Sequence, residues 1–404
     1  MSSRILSWHG RQLKLNTRAD VEPLLAGIDP TTIEEIHLGG NTVGIEAAQA
    51  LADFLSKATS IKVADFADIF TGRLITEIPP ALSAICDALI DKTSLVEINL
   101  SDNAFGGRSV DPMVPFLTQN RSFQVLKLNN NGLGPAGGEI IANALLKSAE
   151  LSKAEGKPSN LRVVICGRNR LENGSAPAWA AAFAAHGGLE EVRMPQNGIR
   201  MSGITALANG LAKNAGLLHV DLQDNTFTEE GDLSGVAAWA AALKAWPALH
   251  TLNLSDCVLS GEGEVPAVIE ALVGGSNPKL HTLQLQNNNL EAATFEQLAD
   301  AIAGELATLR RLELQWNEQE DDDEFLAKIA ESLKIRGGKL FATDEDEEEE
   351  DEVSKEDVED EPAAAIPPAP PVVAAEQEKQ QKTVSDKATD DLADLLSKVS
   401  IKST

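Results

Sequence analysis

The chain has 404 residues and a formal net charge of −28, with 43% hydrophobic residues, 4% aromatic residues and no tyrosine. So acidic a protein is repelled by nucleic acid and by anionic membranes, and neither is expected as a partner. No charged-then-apolar leader and no run of 18 apolar residues is present, which points to a cytoplasmic protein.

From the N-terminus onward, an eleven-residue phrase recurs: Leu-x-x-Leu-x-Leu-x-x-Asn-x-Leu, with conservative swaps. Clear copies run from Leu95 to Phe105, Phe123 to Leu133, Leu161 to Leu171, Leu189 to Ile199, Leu217 to Phe227 and Leu280 to Leu290. Alternating apolar residues such as Leu126 and Leu128 make a short strand with one buried face. The asparagine that follows turns inward, where its amide can serve both donors and acceptors of the neighbouring backbone. Helical stretches such as Gly44 to Lys57, Gly137 to Lys147 and Gly203 to Lys213 lie between copies.

Marking the asparagine position gives Asn41, Phe66, Asn103, Asn131, Asn169, Asn197, Asn225, Cys257, Asn288 and Asn317. The steps are 25, 37, 28, 38, 28, 28, 32, 31 and 29 residues. A core near 28 leaves room for a full helix per turn. The expected fold is α/β: a leucine-rich-repeat solenoid of the ribonuclease-inhibitor horseshoe type, with a parallel concave sheet and convex helices. About 11 repeats, caps included, would occupy residues 1–340. The steps of 37 and 38 mark inserted loops after Phe66 and after Leu133. Asn41, Asn103, Asn131, Asn169, Asn197, Asn225, Asn288 and Asn317 are read as a structural ladder, and Cys86, Cys166 and Cys257 as small buried hydrophobes.

Residues 341–404 differ in kind. They hold 20 acids against 6 lysines, a net −14, and 14 of the 18 residues from Asp344 to Glu361 are Asp or Glu. This composition buries too little apolar area to offset chain entropy, so a disordered tail is expected. Near its end, Leu392, Leu395, Leu396, Val399 and Ile401 share one side of a short helix expected over 386–401. The spacing over 392–401 also resembles a nuclear export signal that docks in a groove of an export receptor.

Enzyme signatures are missing. The sequence has no phosphate-binding G-x-x-x-x-G-K-[ST], no H-E-x-x-H or C-x-x-C, and no Gly-x-Ser-x-Gly. No metal site and no cofactor are expected, and nucleotide hydrolysis by the chain itself is not expected either. The residue preceding each ladder asparagine is the informative column: Asp102, Asn130, Arg168, Gln196, Asp224, Asp256, Asn287 and Trp316. With the asparagine inward, its neighbour faces the rim, and the set forms a candidate protein-binding edge. The degenerate second repeat is the other place, where Phe66 stands in the asparagine column and Arg73 closes an unusual loop.

Asp65-Phe-Ala-Asp-Ile-Phe-Thr-Gly-Arg73 followed by Glu77-Ile-Pro resembles the signature of Ran GTPase-activating proteins. Further strings similar to that family are Leu100-Ser-Asp-Asn-Ala-Phe-Gly106, Asn130-Asn-Gly-Leu-Gly-Pro135, Ile165-Cys-Gly-Arg-Asn-Arg-Leu-Glu-Asn-Gly-Ser175, Gln196-Asn-Gly-Ile-Arg200 and Leu222-Gln-Asp-Asn-Thr-Phe-Thr228. The resemblance spans at least residues 33 to 317, and these strings lie outside the leucine skeleton.

The resemblance implies an activator of GTP hydrolysis on Ran, in nucleocytoplasmic transport, that works without an arginine finger. The partner would be GTP-bound Ran, together with a Ran-binding protein, and Ran would carry the Mg²⁺ and GTP. The resemblance assigns the catalytic role, positioning Ran's own glutamine, to Asn130. Arg73 would anchor Ran, with Asp102, Arg168 and Asp224 as further Ran-binding residues. Relatives tend to carry a basic residue where this chain has Ile75, so one ion pair to Ran is expected to be missing. A non-catalytic leucine-rich-repeat scaffold or inhibitor gripping a protein partner is the alternative reading.

Overall fold

A computed structural model describes residues 4–261, 263–318 and 323–343. Its strands are β1 (Ile5–Ser7), β2 (Lys14–Leu15), β3 (Glu35–His37), β4 (Thr42–Val43), β5 (Val63–Asp65), β6 (Glu97–Asn99), β7 (Val125–Lys127), β8 (Val163–Ile165), β9 (Glu191–Arg193), β10 (His219–Asp221), β11 (Thr251–Asn253), β12 (Thr282–Gln284), β13 (Arg311–Glu313) and β14 (Lys339–Phe341). The helices are α1 (Arg18–Leu25), α2 (Ile45–Lys57), α3 (Ile78–Leu89), α4 (Val114–Gln119), α5 (Gly134–Ala154), α6 (Glu172–His186), α7 (Met201–Leu211), α8 (Ser234–Leu243), α9 (Ala267–Val273), α10 (Ala292–Ala301) and α11 (Glu324–Ile335).

All strands except β2 and β4 form one parallel sheet of 12, each pairing with the next in chain order; β2 and β4 pair separately. The register is in step throughout, as in Ile98↔Leu126 and Leu126↔Val164. The middle residue of each strand, such as Ile98, Leu126 or Val220, is buried against the helices. The flanking residues, such as Glu97 and Asn99 of β6, are only partly covered and line the concave face. This is the alternating solenoid read from the sequence, a leucine-rich-repeat fold. Among the described residues no helix is long and apolar enough to cross a membrane.

The ladder is a chain of side-chain amides. Asn131 Oδ1 accepts from the Asn103 N–H at 2.9 Å, and Asn169 Oδ1 accepts from the Asn131 N–H at 2.9 Å. Asn131 Nδ2 donates to the carbonyls of Leu100 and Leu128, each at 3.0 Å. Asn41, Asn197, Asn225, Asn288 and Asn317 bond in the same way across their turns. Cys257 fills the position with its thiol, Sγ donating to the Leu222 and Ser255 carbonyls at 3.3 Å. Burial pushes the Cys166 thiol up to about 12 and the thiols of Cys86 and Cys257 higher still, so none is reactive near neutrality.

The structure corrects three readings. The spacing puts Phe66 in the asparagine column, but Phe66 aligns with Leu100: its N–H bonds to Asn99 O as the Leu100 N–H bonds to Lys127 O. The ladder position of that turn is Ile69, whose N–H donates to Asn103 Oδ1 at 2.8 Å. From Asn41 through Ile69 to Asn103 the steps become 28 and 34 residues. The extra length after Leu133, by contrast, is not a loop. It is absorbed by the 21-residue helix α5, whose Ala, Leu, Glu and Lys favour helix. Its far end docks through Arg121 and Glu155 at 2.6 Å. Finally, the last described strand contains the buried Phe341, so the repeat array runs through that residue rather than stopping at 340. The acidic tail and its 386–401 helix, including 392–401, lie outside the described residues.

Candidate functional site

The rim where the strands exit is built by one backbone conformation repeated turn after turn. Asp102, Asn130, Arg168, Gln196, Asp224, Asp256, Asn287 and Trp316 all adopt left-handed φ, between 50° and 61°. Gly10, Gly40 and Asp68 continue the series toward the N-terminus. Each such kink lets the following residue drop inward to the ladder while the rim residue's own N–H reaches the next turn. The Asn130 N–H donates to Gly167 O at 2.9 Å, and the Arg168 N–H to Pro195 O at 2.9 Å. Gly, Asn and Asp tolerate this region, whereas Arg168, Gln196 and Trp316 pay a steric penalty of roughly 1–2 kcal/mol each. Periodicity carried no trace of this strain. The enrichment of Asp and Asn in the column was the available signal.

Consecutive turns at the strand spacing place Asn130, Arg168, Gln196 and Asp224 on one edge about 15 Å long. All four are exposed, while Asn131 beside them is 0% exposed. Asp102 precedes them by one turn and accepts a hydrogen bond from Asn130 Nδ2 at 3.0 Å. On the concave face, by contrast, cations are paired with neighbouring carboxylates, as in Lys127 with Glu97 at 2.6 Å and Arg193 with Glu191 at 2.5 Å.

Arg73 lies elsewhere on this edge, in the loop between β5 and α3, and its side chain is only 10% exposed. Its Nε donates to Thr42 Oγ1 at 2.8 Å. Its Nη2 donates to the carbonyls of Thr42 and Leu15 at 3.0 and 3.1 Å. Gly44 makes the space: a Cβ there would lie 3.0 Å from Arg73 Nη1 and 3.0 Å from Asn16 O. The arginine therefore rivets its loop to the β2–β4 pair, and the loop presents Leu74 (67% exposed) and Ile75 (56% exposed) outward. Sequence reasoning missed Thr42, Leu15 and Gly44. A glycine at the start of α2 was a visible but unspecific hint.

Over 333 residues the chain is 37% identical to Ran GTPase-activating protein 1 of Saccharomyces cerevisiae, covering 80% of each chain. The chain belongs to the Ran GTPase-activating protein family. Another member, Ran GTPase-activating protein 1 of Xenopus laevis, is 48% identical over 198 residues, 48% of this chain and 34% of the frog protein. The ribonuclease inhibitor of Sus scrofa is 24% identical over 262 residues, 64% of this chain and 53% of that protein, in keeping with the same repeat type. A Leucine Rich repeat family model matches residues 119–142, the segment that carries Asn130 and Asn131. Within the family, the edge from Asp102 to Asp224 and the riveted loop at Arg73 are the candidate site.

Proposed function

We propose that this protein activates GTP hydrolysis by Ran, binding Ran along the rim and contributing Asn130 to its active site. The observation that carries the reading is Asn130 itself: in a member of this family, an exposed amide stands on the binding edge beside a neighbour, Asn131, locked into the core. An uncharged amide can hold Ran's glutamine toward the attacking water while Ran's own lysine and Mg²⁺ stabilise charge. GTP and Mg²⁺ belong to Ran in this scheme, and the protein has no hydrolysis of its own.

An arginine-finger mechanism would require Arg73 to leave three hydrogen bonds before it could reach a phosphate. Arg73 instead shapes the loop that meets Ran. Ile75, where relatives carry a base, offers an apolar contact in place of an ion pair. Arg168 and Asp224, exposed and of opposite charge two turns apart, set register and orientation on Ran. The reading also assigns the protein to the cytoplasm and to nucleocytoplasmic transport, with a Ran-binding protein in the working complex.

Single-turnover GTP hydrolysis on Ran, with and without the protein, tests the reading. A large acceleration at substoichiometric amounts is expected, together with no hydrolysis by the protein alone. Binding to Ran without acceleration would favour a scaffold or inhibitor instead.

A further inference from the structure

We infer that Asp102 is a positioning residue, setting which end of the Asn130 amide faces a bound partner. The inference rests on the role proposed above for Asn130. Asp102 and Asn130 hold the same rim position on adjacent turns, after β6 and β7, with left-handed φ of 61° and 54°. The shared backbone conformation points the two side chains the same way, one strand spacing apart. Asn130 Nδ2 donates to Asp102 Oδ1 at 3.0 Å. Asp256 and Asn287 repeat the arrangement farther along the rim, with Asn287 Nδ2 donating to Asp256 Oδ1 at 2.7 Å. The column itself is therefore enough to join an aspartate to an asparagine one turn on.

The chemistry fixes the orientation. An ionised carboxylate only accepts hydrogen bonds, so the amide must turn its NH₂ end toward Asp102 and its carbonyl end away. Asn130 then presents Oδ1, an acceptor, to whatever docks. A phosphate oxygen, which also only accepts, is a poor match and is repelled by Asp102 as well. The NH₂ of a glutamine side chain matches, and a glutamine held by its NH₂ keeps its own carbonyl for the attacking water. In this arrangement Asp102 makes no contact with the partner, unlike a docking residue. Its contribution passes through Asn130.

The test is single-turnover GTP hydrolysis on Ran with Asp102→Asn, Asn130→Ala and the double variant, each titrated to saturation. Both residues are exposed, so the variants should fold, which circular dichroism and thermal unfolding check. Asparagine at 102 can pair with either end of the Asn130 amide and so removes the orientation while keeping size. Losing a charge-assisted hydrogen bond should lower the saturated rate roughly 10-fold or more. The half-saturating concentration should stay within about 2-fold of wild type. In the Asn130→Ala background Asp102→Asn should cost nothing further, because its route is already gone.

A wild-type rate in Asp102→Asn overturns the inference. So does additivity in the double variant, or a loss confined to half-saturation that grows at low salt, which would mark direct contact. If Asn130→Ala keeps the full rate, the role given to Asn130 fails and the positioning role goes with it. If Asn130→Ala is slow and Asp102→Asn is not, only the positioning role fails.

Discussion

Asn131→Ala is the sharpest test of the ladder, because the structure says which groups would lose partners and which would not. Asn131 Oδ1 is the acceptor for the Asn103 N–H, and its Nδ2 serves the carbonyls of Leu100 and Leu128. Those carbonyls keep other partners: Leu100 O still accepts from Asn103 Nδ2, and Leu128 O from Asn169 Nδ2. The Asn103 N–H, in a residue 2% exposed, is left with none. One orphaned buried donor costs about 1–3 kcal/mol, and two weakened carbonyls add roughly 1 kcal/mol between them. A loss near 3 kcal/mol is therefore expected. In a solenoid it should concentrate in neighbouring turns rather than spread evenly. Urea unfolding gives the total, and amide exchange shows whether the β6 and β7 turns open first. Asn130→Ala removes one exposed hydrogen bond and puts alanine at a left-handed φ of 54°, so it should cost about 1 kcal/mol, well below Asn131→Ala. If Asn130→Ala proved the more destabilising of the pair, the assignment of inward and outward asparagines in this turn would be wrong.

Three further outcomes follow from the same geometry. Arg73→Ala should lower stability by about 2 kcal/mol, since it strips partners from Thr42 and Leu15, and should weaken activation of Ran; lost activation at wild-type stability would instead mean that Arg73 acts on Ran directly. Gly44→Ala should crowd both the guanidinium and the Asn16 carbonyl at a cost of about 1–2 kcal/mol, and should cost less in an Arg73→Ala background, where only the Asn16 contact remains; full additivity in unfolding experiments would contradict a contribution from Arg73. His186, 8% exposed and beside Ser159, has its pKa pushed from 6.5 down to about 4 by burial first and by Arg162 second. Between those values the unfolded chain binds the proton and the folded one does not. Stability should therefore fall as pH drops from about 6.5 to 4, by roughly 3 kcal/mol, and His186→Gln should flatten that slope in unfolding measured across pH.

What the sequence determined by itself is what nearest neighbours encode. The strand pattern, the inward asparagines from Asn41 to Asn317, and the outward column from Asp102 to Trp316 all follow from a short repeat read against strand and helix geometry. The strings around Asn130 and Arg73 carried the family. Tertiary structure decided the rest. The register of the second turn was hidden because Ile69 replaces the marker asparagine and Phe66, also apolar, stands three residues before it. Whether the extra residues after Leu133 make a loop or lengthen a helix depended on packing beside α6. The partners of Arg73 lie 31 and 58 residues away in sequence, at Thr42 and Leu15, and no local pattern announces them. The pairing of Asp102 with Asn130 needed two turns stacked in register with the same left-handed kink, a condition that only the assembled parallel sheet imposes.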